Sequence, residues 1–583
     1  WGRVGVLERE LIRRLGLRYR ANVRIVMLTS IVLNLLVFTG SLYMLLVYDS
    51  VLPSGSLPTL AGLFVMLCLI YLFQAGFELV RSEALLGIAN GVYRDLFEPV
   101  HHAAAARTLK TGNMGESLQL TRDLDQVHNF LAGNGPVAII DLPWVILFLL
   151  VLSVMHWALG VTALFGTIVL AGIAWHTARR SATGTQGVVQ GTVRRLAATQ
   201  AELRNVESAM AMGMQQRLLA RSAECDQSYL EAQTFLARTT ARLGGVGRIF
   251  RIFLQSMILT VGALLVLDGQ ASGGIILGSS VLAGRVFAPV DQAIANWRGL
   301  SAAREGGSRI VQAISLYRQP PQRGVALDRP SRDIRLHNIF VAPPGARHFV
   351  LSGVSLQLAP GQAMAVIGPS AAGKTTLAKA ILGIWPTAQG EIRIDGATHD
   401  QWDADALGAA MGYVPQNVEL IEGTLAENIA RFDPNASSDA VIAAARAAGL
   451  HDMILGLADG YDMRVTAGGP ELSAGQRQRI GLARALYGDP FLVVLDEPNS
   501  NLDAAGDDAL AQAIAGVKQR GGVVIMVTHR PATLGPITHV AVLKDGRLAD
   551  FGERDAVLAR IAGANVAPMV RPGGNGAVQG AVA

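Results

Sequence analysis

Nine consecutive residues carry the strongest chemical signal in the chain: Gly368, Pro369, Ser370, Ala371, Ala372, Gly373, Lys374, Thr375 and Thr376. They follow the apolar run Ala363 to Ile367 and precede the helical pattern Leu377 to Leu382, which is the strand, loop, helix context of a phosphate-binding loop. Such a loop offers backbone amides and a helix N-terminus to phosphate oxygens, a lysine charge to the β and γ phosphates, and a hydroxyl to Mg²⁺. Lys374 and Thr375 are placed for the last two roles. A second apolar run, Phe491 to Leu495, ends in Asp496 and Glu497. Two carboxylates where a buried strand emerges divide the work of phosphoryl transfer: Asp496 in the Mg²⁺ shell, Glu497 polarising an attacking water. Taken alone, that pair reads as a cap for the next helix, and its weight comes from the loop.

The elements around these residues fall into two contrasting regions. The chain has 583 residues, 51% hydrophobic and only 16% charged, with a mean hydropathy of +0.35. That excludes a disordered chain and an ordinary soluble enzyme. Its two cysteines, Cys68 and Cys225, exclude a disulfide framework or a Cys-rich metal site and read as structural thiols. Asp, Glu, Lys and Arg are absent from Ile25 to Tyr48 and from Val51 to Phe77, and Asp141 is the only one between Phe130 and Trp175. A spanning helix needs about 20 apolar residues, so these stretches hold two hairpins, turning at Asp49 to Ser56 and near His156 and Trp157. Ile252 to Leu267 supplies a fifth span, with Arg248 and Arg251 snorkelling at its start. A sixth runs from Gly273 to about Ala295 and carries Arg285, Pro289 and Asp291; a buried soluble helix is its alternative reading.

Arg3, Arg13, Arg14, Arg18, Arg20 and Arg24 precede the first span, whereas the three outer turns hold no Lys or Arg, so the N-terminus is cytoplasmic. Polar helical segments of about 50 and 75 residues separate spans two and three and spans four and five, with turns expected at Gly112-Asn113 and Gly213. The fold expected is a membrane α-helical domain of six spans with long cytoplasmic helical extensions, followed by an α/β nucleotide-binding domain. The boundaries are an N-terminal segment 1–24, a transmembrane domain 25–317, a linker 318–332, an ATP-binding domain 333–563 and a flexible tail 564–583.

Further residues identify the second region by resemblance. Leu472-Ser-Ala-Gly-Gln476 followed by Arg477 to Arg484 is similar to the signature motif of ATP-binding cassette (ABC) ATPases, and Tyr413-Val-Pro-Gln416 to their Q-loop. Ser500-Asn-Leu-Asp503 resembles the D-loop and Val527-Thr-His529 the switch histidine. The resemblance implies ATP and Mg²⁺ as cofactors, catalytic roles for Glu497, His529 and Gln416, and a metal set of Thr375, Gln416 and Asp496. It also implies two cassettes in a head-to-tail homodimer, with Ser473, Gly475, Gln476 and Asp503 completing the nucleotide sites across it. Ala371 and Ala474 stand where glycines are common in these motifs, and their methyl groups are tolerable if φ stays negative. In the stretch Ile339 to Gly345 only Phe340 offers a ring for stacking on adenine.

The order of spans, cytoplasmic extensions and cassette resembles ABC exporters. Val47 to Thr59 and Asp141-Leu-Pro-Trp144 resemble, more narrowly, the inner-membrane ATPases of type I secretion in the protease/lipase-exporting branch. This implies export of proteins with an uncleaved C-terminal signal through a periplasmic membrane-fusion protein and a TolC-like outer-membrane channel. Membrane lipids are the other contact implied. No Cys lies in the 24 residues before the first span, so N-terminal leader cleavage is not expected of this chain. A lipid or drug flippase would keep every cassette motif and differ in what enters the membrane cavity. The net charge of +5 is not concentrated into a basic stripe on the cassette, so no nucleic-acid partner is expected.

Overall fold

The computed structural model describes residues 13–14, 16–112, 114–317, 327–346, 348–466, 472–529 and 535–564. The expected linker and tail lie mostly, and the N-terminal segment partly, outside the described residues. The chain falls into two compact units that divide between Arg318 and Gln319.

The first unit is helical: α1 (Arg20–Leu36), α2 (Phe38–Leu46), α3 (Leu57–Thr111), α4 (Met114–Ala132), α5 (Gly135–Asp141), α6 (Trp144–Met155), α7 (Trp157–Arg204), α8 (Val206–Ala211), α9 (Gln215–Leu267) and α10 (Gly273–Tyr317). Five helical stretches are long and apolar enough to cross a membrane, and a sixth forms if α5 and α6, bent by 41° about Leu142-Pro143, count as one span. The chain is thus a multi-pass membrane protein. With 55 residues, α3 is about 80 Å long at 1.5 Å per residue, far more than a bilayer core requires. The polar segments are therefore continuations of the spans. They reverse at Gly112 (φ 67°) and Gly213 (φ 63°), both in the left-handed region that glycine enters without steric cost.

The first hairpin turns within Asp49 to Ser56 as expected: winding continues as a π turn over Val47–Val51 and an α turn over Leu52–Ser54, and the chain reverses at Gly55, with φ 63°. The Asp49 carboxylate accepts hydrogen bonds from Ser272 Oγ (2.5 Å) and Gly274 N (2.8 Å) and so caps the start of α10 from another helix. The fifth span is the end of the 53-residue α9, whose earlier part is its polar extension. Arg285 is exposed on α10 in the single chain, while its neighbours Val286 and Phe287 are fully buried.

The second unit contains three sheets. A four-stranded antiparallel sheet has the order β2-β1-β4-β5, built from β1 (Ile334–Val341), β2 (Leu351–Leu358), β4 (Gln389–Ile394) and β5 (Ala397–Thr398). The central sheet has the order β12-β11-β3-β10-β9-β6, from β3 (Ala363–Ile367), β6 (Met411–Val414), β9 (Leu492–Asp496), β10 (Val523–Val527), β11 (His539–Lys544) and β12 (Arg547–Glu553). A small ribbon pairs β7 (Gly423–Thr424) with β8 (Arg464–Val465). Every residue of β9 and β10 is buried, as continuous apolar runs must be when both faces of a parallel sheet are covered. Helices α11 (Lys374–Ile381), α12 (Ala474–Leu486) and α13 (Ala504–Gln519) follow the segments that carry the motifs.

Candidate active site

Register decides what meets at the sheet edge. Val527 of β10 lies opposite Asp496 of β9 and Val366 of β3, and Val414 of β6 lies opposite Leu495 of β9. Four neighbouring parallel strands therefore end at one level, and each releases its next residues into the crevice beyond the carboxyl ends, where open α/β sheets bind ligands. From β3 comes Gly368, from β6 Gln416, from β9 Asp496 and Glu497, and from β10 His529.

The loop after β3 is held by close backbone packing. A Cβ on Gly368 would lie 2.1 Å from the Leu543 carbonyl oxygen, and one on Gly373 would lie 2.7 Å from a Leu351 methyl. Gly373 caps α11 in the left-handed region at φ 96°. Lys374 is 6% exposed and donates from Nζ to the carbonyls of Gly368 (3.0 Å) and Pro369 (2.8 Å), so its ammonium lies against the loop. Burial lowers its pKa, against the opposing pull of Glu497 and Asp496. Thr376 is buried and Ser370 exposed. Ala371 departs from the condition set by the sequence: its φ is +64°, not negative, so its methyl is held in a conformation that L-residues seldom adopt. Ala474 meets the condition as the first residue of α12.

Asp496, at 1% exposure, accepts from Thr375 Oγ1 at 3.2 Å through Oδ1, while its buried Oδ2 has no hydrogen-bond partner among the described residues. Burial raises its pKa, and the nearby Glu497 adds to this, against the Thr375 hydrogen bond and the charges of Lys379 and Lys374. An orphan carboxylate oxygen beside a threonine hydroxyl suits a hard divalent cation that keeps most of its shell from phosphates and water. Mg²⁺ therefore fits Asp496 and Thr375; the side-chain oxygen of Gln416 is available as a third donor, since its Nε2 is engaged elsewhere. The same negative charge and the burial push the Tyr413 phenol up to about 12, so it stays protonated.

Glu497 turns out of β9 with φ 51°, another left-handed non-glycine residue. Its Oε2 accepts from Gln416 Nε2 at 3.0 Å, and its Oε1 lies 2.9 Å from His529 Nε2. The structure thus brings the three residues expected to be catalytic together around the Glu497 carboxylate, next to Asp496. A carboxylate aimed this way can take a proton from water while its amide and imidazole neighbours fix its orientation.

The remaining expected residues do not join that cluster in the single chain. Ser473 caps α12: its Oγ accepts from Gln476 N (3.2 Å) and Gln476 Oε1 accepts from Ser473 N (2.8 Å), a reciprocal capping box. Gly475 is needed there because a Cβ would meet the Asn501 carbonyl oxygen at 2.8 Å. Asp503 caps α13 through Gly506 N (2.9 Å) and pairs with Arg479 of α12. Among the described residues, none of these side chains is hydrogen-bonded to the phosphate loop. Phe340 stands edge-on to Phe349, centroids 5.6 Å apart, and it is Phe349 that is 48% exposed. Sequence reasoning missed Phe349, and it missed Asn499, which is 3% exposed with Nδ2 unpartnered among the described residues. The place of Asn499 between Glu497 and Asp503 was the available signal.

These features match known proteins over nearly the whole chain. The model of the ABC transporter transmembrane region matches residues 23–290, and that of the ABC transporter cassette matches residues 351–500. The type I secretion system ATP-binding protein PrsD of Rhizobium meliloti (strain 1021) is 44% identical over 534 residues, 91% of each chain. The leukotoxin translocation ATP-binding protein LktB of Mannheimia haemolytica is 27% identical over 564 residues, 93% of this chain and 77% of its own. A bacterial Atm1-family ABC exporter with ATP bound superposes with a TM-score of 0.78 at 22% identity, covering 95% of this chain and 99% of the other, a likeness of fold. The chain therefore belongs to the ABC transporters, as a type I secretion system ATP-binding protein whose ATP hydrolysis is coupled to transport.

Proposed function

We propose that this chain, as a homodimer in the bacterial inner membrane, uses ATP to export a protein bearing an uncleaved C-terminal signal. It delivers that cargo to a periplasmic membrane-fusion protein and a TolC-like outer-membrane channel. The observation that carries the reading is the 44% identity to a type I secretion protein over 91% of both chains. The site supports the chemistry assigned to it. Backbone amides from Gly368 to Thr376 and the Lys374 ammonium receive the phosphates; Lys374 leaves its two loop carbonyls to do so. Asp496, Thr375 and Gln416 hold Mg²⁺, which when bound neutralises charge on the β and γ phosphates. Glu497 orients and deprotonates the attacking water, and His529 holds Glu497 from the other side.

Among the described residues, no hydrogen bond joins the side chains of Ser473, Gln476 and Asp503 to the loop of their own chain, which favours their use on nucleotide held by a second copy. The capping box engages the amides of Ser473 and Gln476, and those of Ala474 and Gly475, in the first turn of α12, are a suitable receiver for a γ-phosphate. ATPase activity of the reconstituted protein, titrated with C-terminal peptides of co-encoded secreted proteins and separately with lipids, tests the export reading. Stimulation by the peptides, and not by peptides of scrambled sequence, is the expected result. Stimulation that follows lipid composition alone would replace it with a flippase.

A further inference from the structure

A cavity of about 740 Å³ opens in the helical unit between α7, α9 and α10, away from every residue used in the nucleotide chemistry. Leu170, Ile173 and Ala174 of α7 line it together with Arg248 and Arg251 of α9 and Asp291 and Arg298 of α10. It lies at the membrane boundary read from the sequence. The charge-poor stretch that includes α7's span ends at Trp175, the uncharged run of α9 begins immediately after Arg251, and Arg298 lies just beyond the sixth span. Trp175 and Trp297 line the cavity at the same level, and the Arg179 guanidinium lies over the Trp175 ring at 3.9 Å. Indole rings and arginines at one depth mark a headgroup layer, and the positive-inside pattern makes it the cytoplasmic one.

Charge at the mouth is unbalanced. Arg251 pairs with Asp291 at 2.6 Å, while Arg248 and Arg298 have no ion pair among the described residues. The cavity therefore sets three guanidinium groups, Arg248, Arg251 and Arg298, against the one carboxylate among its lining residues, Asp291, beside an apolar slot. Glycine makes the slot: a Cβ on Gly244 would meet nothing within 4 Å, and one on Gly247 would touch only Ile173 at 3.8 Å.

We infer that this cavity is a binding site for one anionic phospholipid of the inner leaflet, its phosphate on Arg248 and Arg298 and an acyl chain along Leu170 and Ile173. Apolar side chains beside an excess of guanidinium groups at the cytoplasmic membrane boundary suit the acyl chain and the phosphate of that lipid. Basic pockets between membrane helices on the cytoplasmic side hold anionic headgroups by this complementarity. A free phosphate would leave the apolar slot unused, and a zwitterionic lipid would bring its own ammonium against the two arginines.

Native mass spectrometry of the full-length protein in detergent tests this without recourse to activity, so it is independent of the export reading. Phosphatidylglycerol, phosphatidylcholine with the same chains, and glycerol phosphate are titrated in turn. Wild-type protein should retain phosphatidylglycerol in preference to phosphatidylcholine, and glycerol phosphate should not displace it. Arg248→Gln and Arg298→Gln should each weaken phosphatidylglycerol binding about fivefold, the contribution of one arginine near an anionic lipid surface, and leave phosphatidylcholine unchanged. Gly244→Leu should weaken binding of both lipids by filling the slot. Arg298 is exposed, so its variant keeps the test valid if Gly244→Leu disturbs folding. Equal retention of the two lipids, or phosphatidylglycerol binding unmoved by both arginine variants, would overturn the inference. Displacement by glycerol phosphate would reduce the site to one for free anions. Efficient disulfide crosslinking between Gly244→Cys chains would show the slot filled by a second copy, which also overturns it.

Discussion

Ala371→Gly isolates the strain in the phosphate-binding loop. Ala371 is exposed, so its methyl buries no surface, and its φ of 64° places it in the left-handed region. Holding an L-residue there costs about 1–2 kcal/mol, which glycine avoids. Glycine in turn has more freedom to lose on folding, about 0.5–1 kcal/mol. The difference favours the variant by about 0.5–1 kcal/mol, and in a domain of about 150–250 residues each kcal/mol moves Tm by roughly 2–4 °C. The cassette transition of the full-length protein, followed by scanning calorimetry in detergent, should therefore rise by about 1–4 °C. Nucleotide affinity measured beside it should stay within about twofold, because a loop that keeps its shape through binding relieves the same strain in both states. A Tm that is unchanged or lower would refute the argument, since it would mean that Ala371 is not held at positive φ.

Glu497→Gln should lower ATP turnover by about 100- to 10,000-fold, the range a positioned general base supplies, while Mg-ATP affinity is kept; phosphate release and equilibrium nucleotide binding on one preparation check both halves. Asp496→Asn should separate stability from function. The fold raises the Asp496 pKa by burial, so it binds that proton more tightly than the unfolded chain does, and ionisation destabilises the fold as pH rises through the carboxylate range and above. Removing the charge should raise the Tm of the nucleotide-free protein at pH 7, with the gain fading as pH falls toward about 4 and absent below it, and should abolish Mg²⁺-dependent hydrolysis.

Most of this protein's organisation was legible in order along the chain. Charge-free stretches long enough to span a bilayer must be helices, because no other open segment satisfies its backbone in lipid. A loop whose glycines permit close backbone approach, set between an apolar strand and a helix, must receive phosphate. Those are local requirements, and they placed the spans, Lys374 and Thr375. Tertiary structure decided what distance along the chain conceals. Only the register of β6, β9, β10 and β3 brings Gln416, Glu497 and His529, up to 113 residues apart, into one cluster. Backbone conformation set the positive φ of Ala371 and Glu497, which composition cannot show because the neighbouring packing imposes it. Asp49 became the cap of a helix more than 200 residues away, and an arginine-rimmed slot emerged from three helices whose glycines looked unremarkable singly. Each arises from the side of an element that meets another, and that side is fixed when the elements pack.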